Sequence, residues 1–253
     1  MAAASGRVPQ GRLQATPGLR MSFEILAVHD WLSLRLSGVY YGNGVPHGDG
    51  SPVVVVPGFL GSDRYLVTLY RWLRRIGYRP YYSGMGRNMR CPDLLVERLL
   101  RTVEQAHVDT GLRARIVGHS LGGTLARAVA ARAPEQVEQV ITLGSPLAFA
   151  RVHPLVFAAA GIVRANVRRG PTRPPECYTE ACNCAFVRSA GMPLPASVRG
   201  VSIYTRRDGV VDWRCCLDET GHPNIEVKGT HLGLAFNRDV YSEIARQLAA
   251  RET

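Results

Sequence analysis

Ser120 stands in Gly118-His119-Ser120-Leu121-Gly122-Gly123, after the apolar run Ile116-Val117 and before an alanine-rich stretch. A glycine two residues to each side of a serine, between a strand and a helix, predicts a sharp turn. Any side chain at Gly118 or Gly122 would strike the neighbouring backbone there. Such a turn lifts the Ser120 hydroxyl above the end of a sheet. It also leaves the Leu121 N–H at a helix N-terminus, where positive partial charge collects. The chemistry is attack on an acyl carbon, with the amide receiving the oxyanion. A serine hydroxyl is a weak nucleophile at neutral pH, so it needs a base within reach and a carboxylate to orient that base.

The chain offers few groups for those roles. In this order of motifs the acid and then the histidine follow the serine. His231 lies in Gly229-Thr230-His231-Leu232-Gly233, just past an apolar stretch, whereas His222 precedes a proline in a loop. His231 is the expected base. Asp208, followed by Gly209 in a tight turn past Val201-Ser202-Ile203-Tyr204, is the expected acid, with Asp212 as the alternative. His119 is expected to pack or hydrogen-bond locally. The loop Gly58-Phe59-Leu60-Gly61-Ser62 follows a valine run and would supply a second oxyanion donor, the Phe59 N–H first and that of Leu60 second.

These groups need a scaffold that brings several strand ends to one edge. Strands are expected at Pro52–Pro57, Arg79–Tyr82, Arg115–Gly118, Val137–Leu143, Val198–Thr205 and Asn224–Lys228. Helices are expected at Tyr65–Ile76, Pro92–Thr110, Leu121–Ala133 and Arg238–Ala250. The alternation predicts an α/β fold with a mostly parallel central sheet flanked by helices, and ligands at the carboxyl ends of the strands. Residues 147–195 break the rhythm with an apolar helix, a basic Pro-rich stretch and a cysteine cluster. They read as a cap or lid insertion within a domain spanning 22–253. Residues 1–21 read as a disordered segment, with Met21 an alternative start. Ser22–Ser37 reads as an amphipathic helix packed on the body, or else as one lying on a membrane surface.

Composition narrows the classes. The 253 residues carry a net charge of +11, and Lys228 is the only lysine. The arginines are scattered and lack aromatic interleaving, so no nucleic-acid partner is expected. A peripheral contact with a lipid surface is the weaker reading of that charge. No run approaches the length of a bilayer span, and no secretion signal is visible at the N-terminus. The expected location is cytoplasmic, with peripheral membrane or secreted as alternatives. Cys91, Cys177, Cys182, Cys184, Cys215 and Cys216 read as reduced thiols, with the cluster Cys177, Cys182 and Cys184 open to disulfides, together with Cys215 or Cys216, or, least well for its spacing, to a metal site. No cofactor and no catalytic metal are expected.

Pro57-Gly58-Phe59-Leu60-Gly61-Ser62, Gly118-His119-Ser120-Leu121-Gly122-Gly123, Gly144-Ser145-Pro146, Arg207-Asp208-Gly209-Val210-Val211 and Gly229-Thr230-His231 together resemble the α/β-hydrolase superfamily, closest to its bacterial lipase and esterase-like members. The resemblance runs from about Pro52 to the C-terminus. It implies a carboxylic-ester hydrolase without a cofactor, acting on a small acyl ester or lipid. The triad would be Ser120, Asp208 and His231, with Phe59 and Leu121 as oxyanion donors. The loop begins with Pro57 where many lipases have histidine, and the cysteine-bearing insertion is not general to the superfamily. The same machinery serves acyltransferases and thioesterases, and a non-catalytic binding protein is the remote alternative.

Overall fold

Pro52–Val56 (β2) is the strand on which the two halves of the core meet. Val53, Val54, Val55 and Val56 are fully buried. Successive side chains of a strand point to opposite faces. Val53 and Val55 therefore join one apolar cluster and Val54 and Val56 another. A β-branched run with no polar alternation is what a strand covered on both faces requires.

The computed structural model describes residues 13–147, 150–169 and 182–250. Leu13–Ala15 (β1) and Ala27–Leu36 (α1) precede β2. Val67–Arg75 (α2), Arg79–Tyr82 (β3), Pro92–Thr110 (α3), Ala114–His119 (β4), Leu121–Arg132 (α4) and Val137–Leu143 (β5) follow it. Then come Ala150–Val152 (β6), Pro154–Arg168 (α5), Ala185–Ala190 (α6), Arg199–Tyr204 (β7), Asn224–Glu226 (β8) and Arg238–Ala249 (α7). Six strands form one parallel sheet in the order β3-β2-β4-β5-β7-β8. On one face, Leu69, Trp72 and Leu73 of α2 and Val240, Tyr241 and Ile244 of α7 pack on Val53, Val55 and Val117. On the other, Leu95, Leu99 and Val103 of α3 and Leu125 and Val129 of α4 pack on Val54, Val56 and Ile116. Among the described residues, no helix is long and apolar enough to cross a membrane.

Two segments depart from the expectations. Residues 13–15, read as part of a disordered segment, form a strand paired in parallel with β6, and Leu13 packs beside Val152 and Tyr204. Residues 1–12 lie outside the described residues. Ser22–Ser37 is not one helix on an apolar stripe. A 3-10 helix, Met21–Leu26, leads into α1, and Ile25, Val28 and Leu36 are well exposed. What this segment buries is Leu34 and a carboxylate, Glu24. The segment read as an insertion contributes β6, α5 and α6; its basic Pro-rich stretch and Cys177 fall largely or wholly in the undescribed 170–181. Cys182, Cys184, Cys215 and Cys216 are free thiols, and Cys91 is buried. The described residues hold no cluster of three metal-ligating side chains.

Asp218 ties α4 to the loop before β8, exchanging hydrogen bonds with Asn224 at the start of that strand. Its Oδ2 accepts a hydrogen bond from Arg127 at 2.7 Å, with both side chains almost wholly buried. Removing one partner of such a pair strands a charge in the interior. Asp218→Ala should lower the unfolding free energy by about 3–5 kcal/mol in urea titrations; an unchanged midpoint would show that the pair carries no net stability.

Candidate active site

The turn between β4 and α4 holds Ser120 at φ 54° and ψ −129°, a conformation a serine adopts only under constraint. The constraint is steric crowding. A Cβ on Gly122 would lie 2.3 Å from the Val56 carbonyl oxygen, and one on Gly118 would lie 2.5 Å from Gly123 Cα. The helix start is thus pressed against β2 and β4, and Ser120 takes up the bend. Its N–H donates to the Leu143 carbonyl at 2.8 Å, which fixes the turn to β5.

The structure brings Asp208 and His231 together at the same sheet edge. Asp208 sits in the turn after β7. Its Oδ1 accepts the N–H groups of Val210 and Val211 at 2.8 and 2.7 Å, leaving Oδ2 to accept from His231 Nδ1 at 2.6 Å. Both side chains are essentially sealed from solvent. With Nδ1 bound to the carboxylate, Nε2 is the ring nitrogen left for chemistry. Burial pulls the His231 pKa down, but the Asp208 charge, the Asp208 hydrogen bond and then Glu24 outweigh it, and the net shift is upward. Among the described residues Ser120 and His231 share no direct hydrogen bond; both line one cavity, and such contacts commonly tighten only around substrate.

Asp212, the alternative acid, is used elsewhere. Its Oδ1 caps the 3-10 helix Trp213–Cys216 by accepting the Arg214 N–H at 3.1 Å. His222 lies away from Ser120, its Nδ1 accepting the Gly200 N–H at 3.3 Å. His153 caps α5. His119 turns back to the site, donating from Nε2 to the His231 carbonyl at 2.9 Å. Burial, then the neighbouring His231, bring its pKa to about 3, so it stays neutral, and its buried Nδ1 has no partner among the described residues.

The proposed amide donors separate on what they already bind. The Leu60 N–H donates to the Asn88 carbonyl at 2.8 Å and is spent. The N–H groups of Phe59 and Leu121 have no acceptor among the described residues, and both residues line the cavity with Ser120. Leu60 itself has φ 62°, a strained bend that Asn88 clamps. The Asn88 N–H donates to the Gly61 carbonyl at 2.8 Å and its Nδ2 to the Pro57 carbonyl at 2.9 Å. Nothing in the sequence marked Asn88. Gly144 belongs to the Gly144-Ser145-Pro146 motif after β5. At φ 57°, a Cβ there would lie 3.2 Å from His231 Nδ1 and 3.3 Å from Asp208 Oδ2, so glycine leaves room for the pair.

Above Ser120 opens a cavity of about 790 Å³. It is walled largely by apolar side chains, among them Leu121, Leu147, Val156, Ala159, Val163 and Val187. Much of that wall is α5, from the segment read as an insertion. Cys182 and Cys184 border it too, and burial raises the Cys184 thiol to about 11, which keeps it protonated at neutral pH.

The sequence model of one protein family, described as the alpha/beta hydrolase fold, matches residues 52–165. A triacylglycerol lipase of Pseudarthrobacter phenanthrenivorans is 33% identical over 104 residues, 38% of this chain and 33% of that one. The match thus spans about a third of that relative's length. Among solved structures, the monoacylglycerol lipase of Paleococcus ferrophilus superposes with a TM-score of 0.55 at 14% identity, covering 81% of this chain and 96% of that one. A carboxylesterase of Bacillus subtilis superposes with a TM-score of 0.54 at 13% identity, covering 90% and 99%. The strand order, the strained serine turn and these similarities agree on one architecture: the chain has the α/β-hydrolase fold.

Proposed function

We propose that the chain hydrolyses carboxylic esters of hydrophobic acyl groups through a Ser120 acyl-enzyme. The observation that carries this reading is the convergence of a strained serine and a buried Asp208–His231 pair on one apolar cavity. His231 Nε2 takes the Ser120 proton as Oγ bonds to the acyl carbon. Asp208 holds the ring in the required tautomer and stabilises the imidazolium. The carbonyl oxygen becomes an oxyanion in reach of the Phe59 and Leu121 N–H groups, each such donor being worth about 3 kcal/mol. Collapse breaks the ester bond, and His231 returns the proton to the leaving alkoxide. Water then attacks the acyl-enzyme with His231 again as base, which frees the acid and restores Ser120.

The cavity supports the acyl preference. Its volume falls in the range of small-molecule sites, and its wall offers few polar partners. Residues 147–195 act in this reading as a cap whose α5 shapes the acyl channel. Leu60, Leu155 and Leu232 line the cavity yet remain substantially exposed. They form an apolar rim suited to a substrate arriving from a lipid surface.

Hydrolysis of a p-nitrophenyl ester series from acetate to palmitate tests the reading. Turnover should rise toward longer acyl chains and vanish in Ser120→Ala, which should keep its fold. Turnover retained by that variant would remove Ser120 from the mechanism. Wild-type protein that turns over no ester, yet is labelled at Ser120 by a fluorophosphonate, would favour the acyltransferase or thioesterase reading. Asp208→Asn should cost on the order of 10⁴ in kcat by presenting the wrong imidazole tautomer. Asp212→Asn should cost less than about tenfold, since that carboxylate caps a helix; the reverse ranking would reassign the acid.

A further inference from the structure

Glu24 is a buried acid with no cationic partner among the described ion pairs. It is the only acid in the apolar stretch Met21–Val28, and its carboxylate is filled by backbone. Oε1 accepts the N–H of Gly209 at 3.0 Å and that of His231 at 3.1 Å; Oε2 accepts the N–H of Leu232 at 2.7 Å. One side chain thus grips the turn that carries Asp208 and the turn that carries His231. Asp30, one helical turn and a half further on, reinforces the second grip. It is hydrogen-bonded to the Thr230 backbone and accepts from Asn237 Nδ2 at 3.2 Å.

The glycines of those two turns are shaped to this arrangement. Gly209 does not have positive φ, so no left-handed turn calls for it; a Cβ there would lie 2.6 Å from the Arg20 carbonyl oxygen and 3.0 Å from Glu24 Oε1. A Cβ on Gly233 would lie 2.1 Å from Asp30 Oδ2. Both glycines admit a carboxylate-bearing segment that precedes the region matched by the family, residues 52–165.

We propose that Glu24 is a positioning residue: by holding the Asp208–Gly209 and His231–Leu232 backbones on one carboxylate, it sets the Asp208–His231 pair over Ser120. The proposal rests on the ester-hydrolase reading for its consequence in turnover, but not for its effect on His231. The titratable groups around the imidazole are Asp208 from the end of β7, His119 from β4, Tyr65 from the turn before α2, and Glu24 itself, with Cys216 behind Asp208. Tyr65 donates to the Leu232 carbonyl at 3.1 Å, and burial keeps its phenol protonated. His119 is neutral. Negative charge next to the ring therefore comes from Asp208 and Glu24, and both favour the imidazolium that forms when the serine proton moves.

The test compares wild type with Glu24→Gln, Glu24→Asp and the distant surface control Glu104→Gln, all as the full chain. Glutamine keeps the shape, removes the charge and sets an NH₂ donor against at least one backbone N–H. In Glu24→Gln, the rate of Ser120 labelling by a fluorophosphonate and the kcat on p-nitrophenyl butyrate should fall roughly ten- to hundredfold, with KM within about twofold. The ascending limb of the pH–rate profile should move to lower pH, because His231 loses a charge that raises its pKa. The imidazole nitrogens of His231, followed by NMR in ¹⁵N-histidine protein, should titrate at correspondingly lower pH. Glu24→Asp keeps the charge and shortens the reach, so its labelling should slow while the His231 titration stays near wild type. A folded Glu24→Gln protein with wild-type His231 titration and wild-type labelling overturns the proposal. If Glu24→Gln does not unfold cooperatively, wild-type labelling by Glu24→Asp does so instead. A displaced His231 titration in a protein whose wild type turns over no ester would refute the ester-hydrolase reading and leave Glu24 in its role.

Discussion

The crowding at the start of α4 is the constraint from which the site follows. Gly122 and Gly118 let a helix begin almost in contact with the backbone of β2 and with its own preceding strand. The chain meets that demand by bending at Ser120 into a region of φ,ψ space that costs of order 1–3 kcal/mol. The parallel sheet holds the bend in place. β4 lies between β2 and β5, its residues are buried along their length, and the Ser120 N–H is tied to the end of β5. Relaxing the turn would require moving central strands whose side chains face two filled cores, so the strain persists and the hydroxyl stays raised over the sheet edge.

The same edge gathers parts from distant stretches because a parallel sheet aligns all its carboxyl ends. β2 delivers the Gly58–Phe59 amides, β4 delivers Ser120, β7 delivers Asp208, and the loop past β8 delivers His231. Each is then pinned by neighbouring hydrogen bonds. Asn88 clamps the bend at Leu60, Val210 and Val211 fix the free oxygen of Asp208, and His119 and Tyr65 hold the carbonyls of His231 and Leu232. Preorganisation of this kind lets a few polar groups act in an apolar cavity without reorganising during the reaction.

Legibility in the sequence followed the range of the forces involved. The serine turn, the valine strand and the strand–helix alternation are written in neighbouring residues, and their elements lie within a few residues of the expected bounds. Asp208 and His231 could be placed at strand ends because a tight loop leaves a local signature. Glu24 could not, since its partners are backbone amides near the other end of the chain and have no side-chain identity to read. Its one signal is an acid alone in an apolar run, and a run of that kind matches a packing stripe equally well. Gly209 fits a tight turn by sequence, whereas its need arises from the Arg20 carbonyl and the Glu24 carboxylate packed against it. Asn88 carried no signal, because an asparagine in a glycine-rich loop fits any turn.

The bonds from Glu24 join residues 185, 207 and 208 positions apart. Closing so long a loop is an entropic cost that must be met before the contact returns anything, so contacts of this span form late. Glu24 leaves the ribosome long before its donors, so its Oε2 stays without the Leu232 N–H until residue 232 has been made. The central strands can pair while synthesis is still under way, and Ser120 can already be bent between them. In the proposed mechanism, the pair that would draw off the Ser120 proton is held in place only once residue 24 meets residues 209, 231 and 232, after the bend at Ser120 has formed.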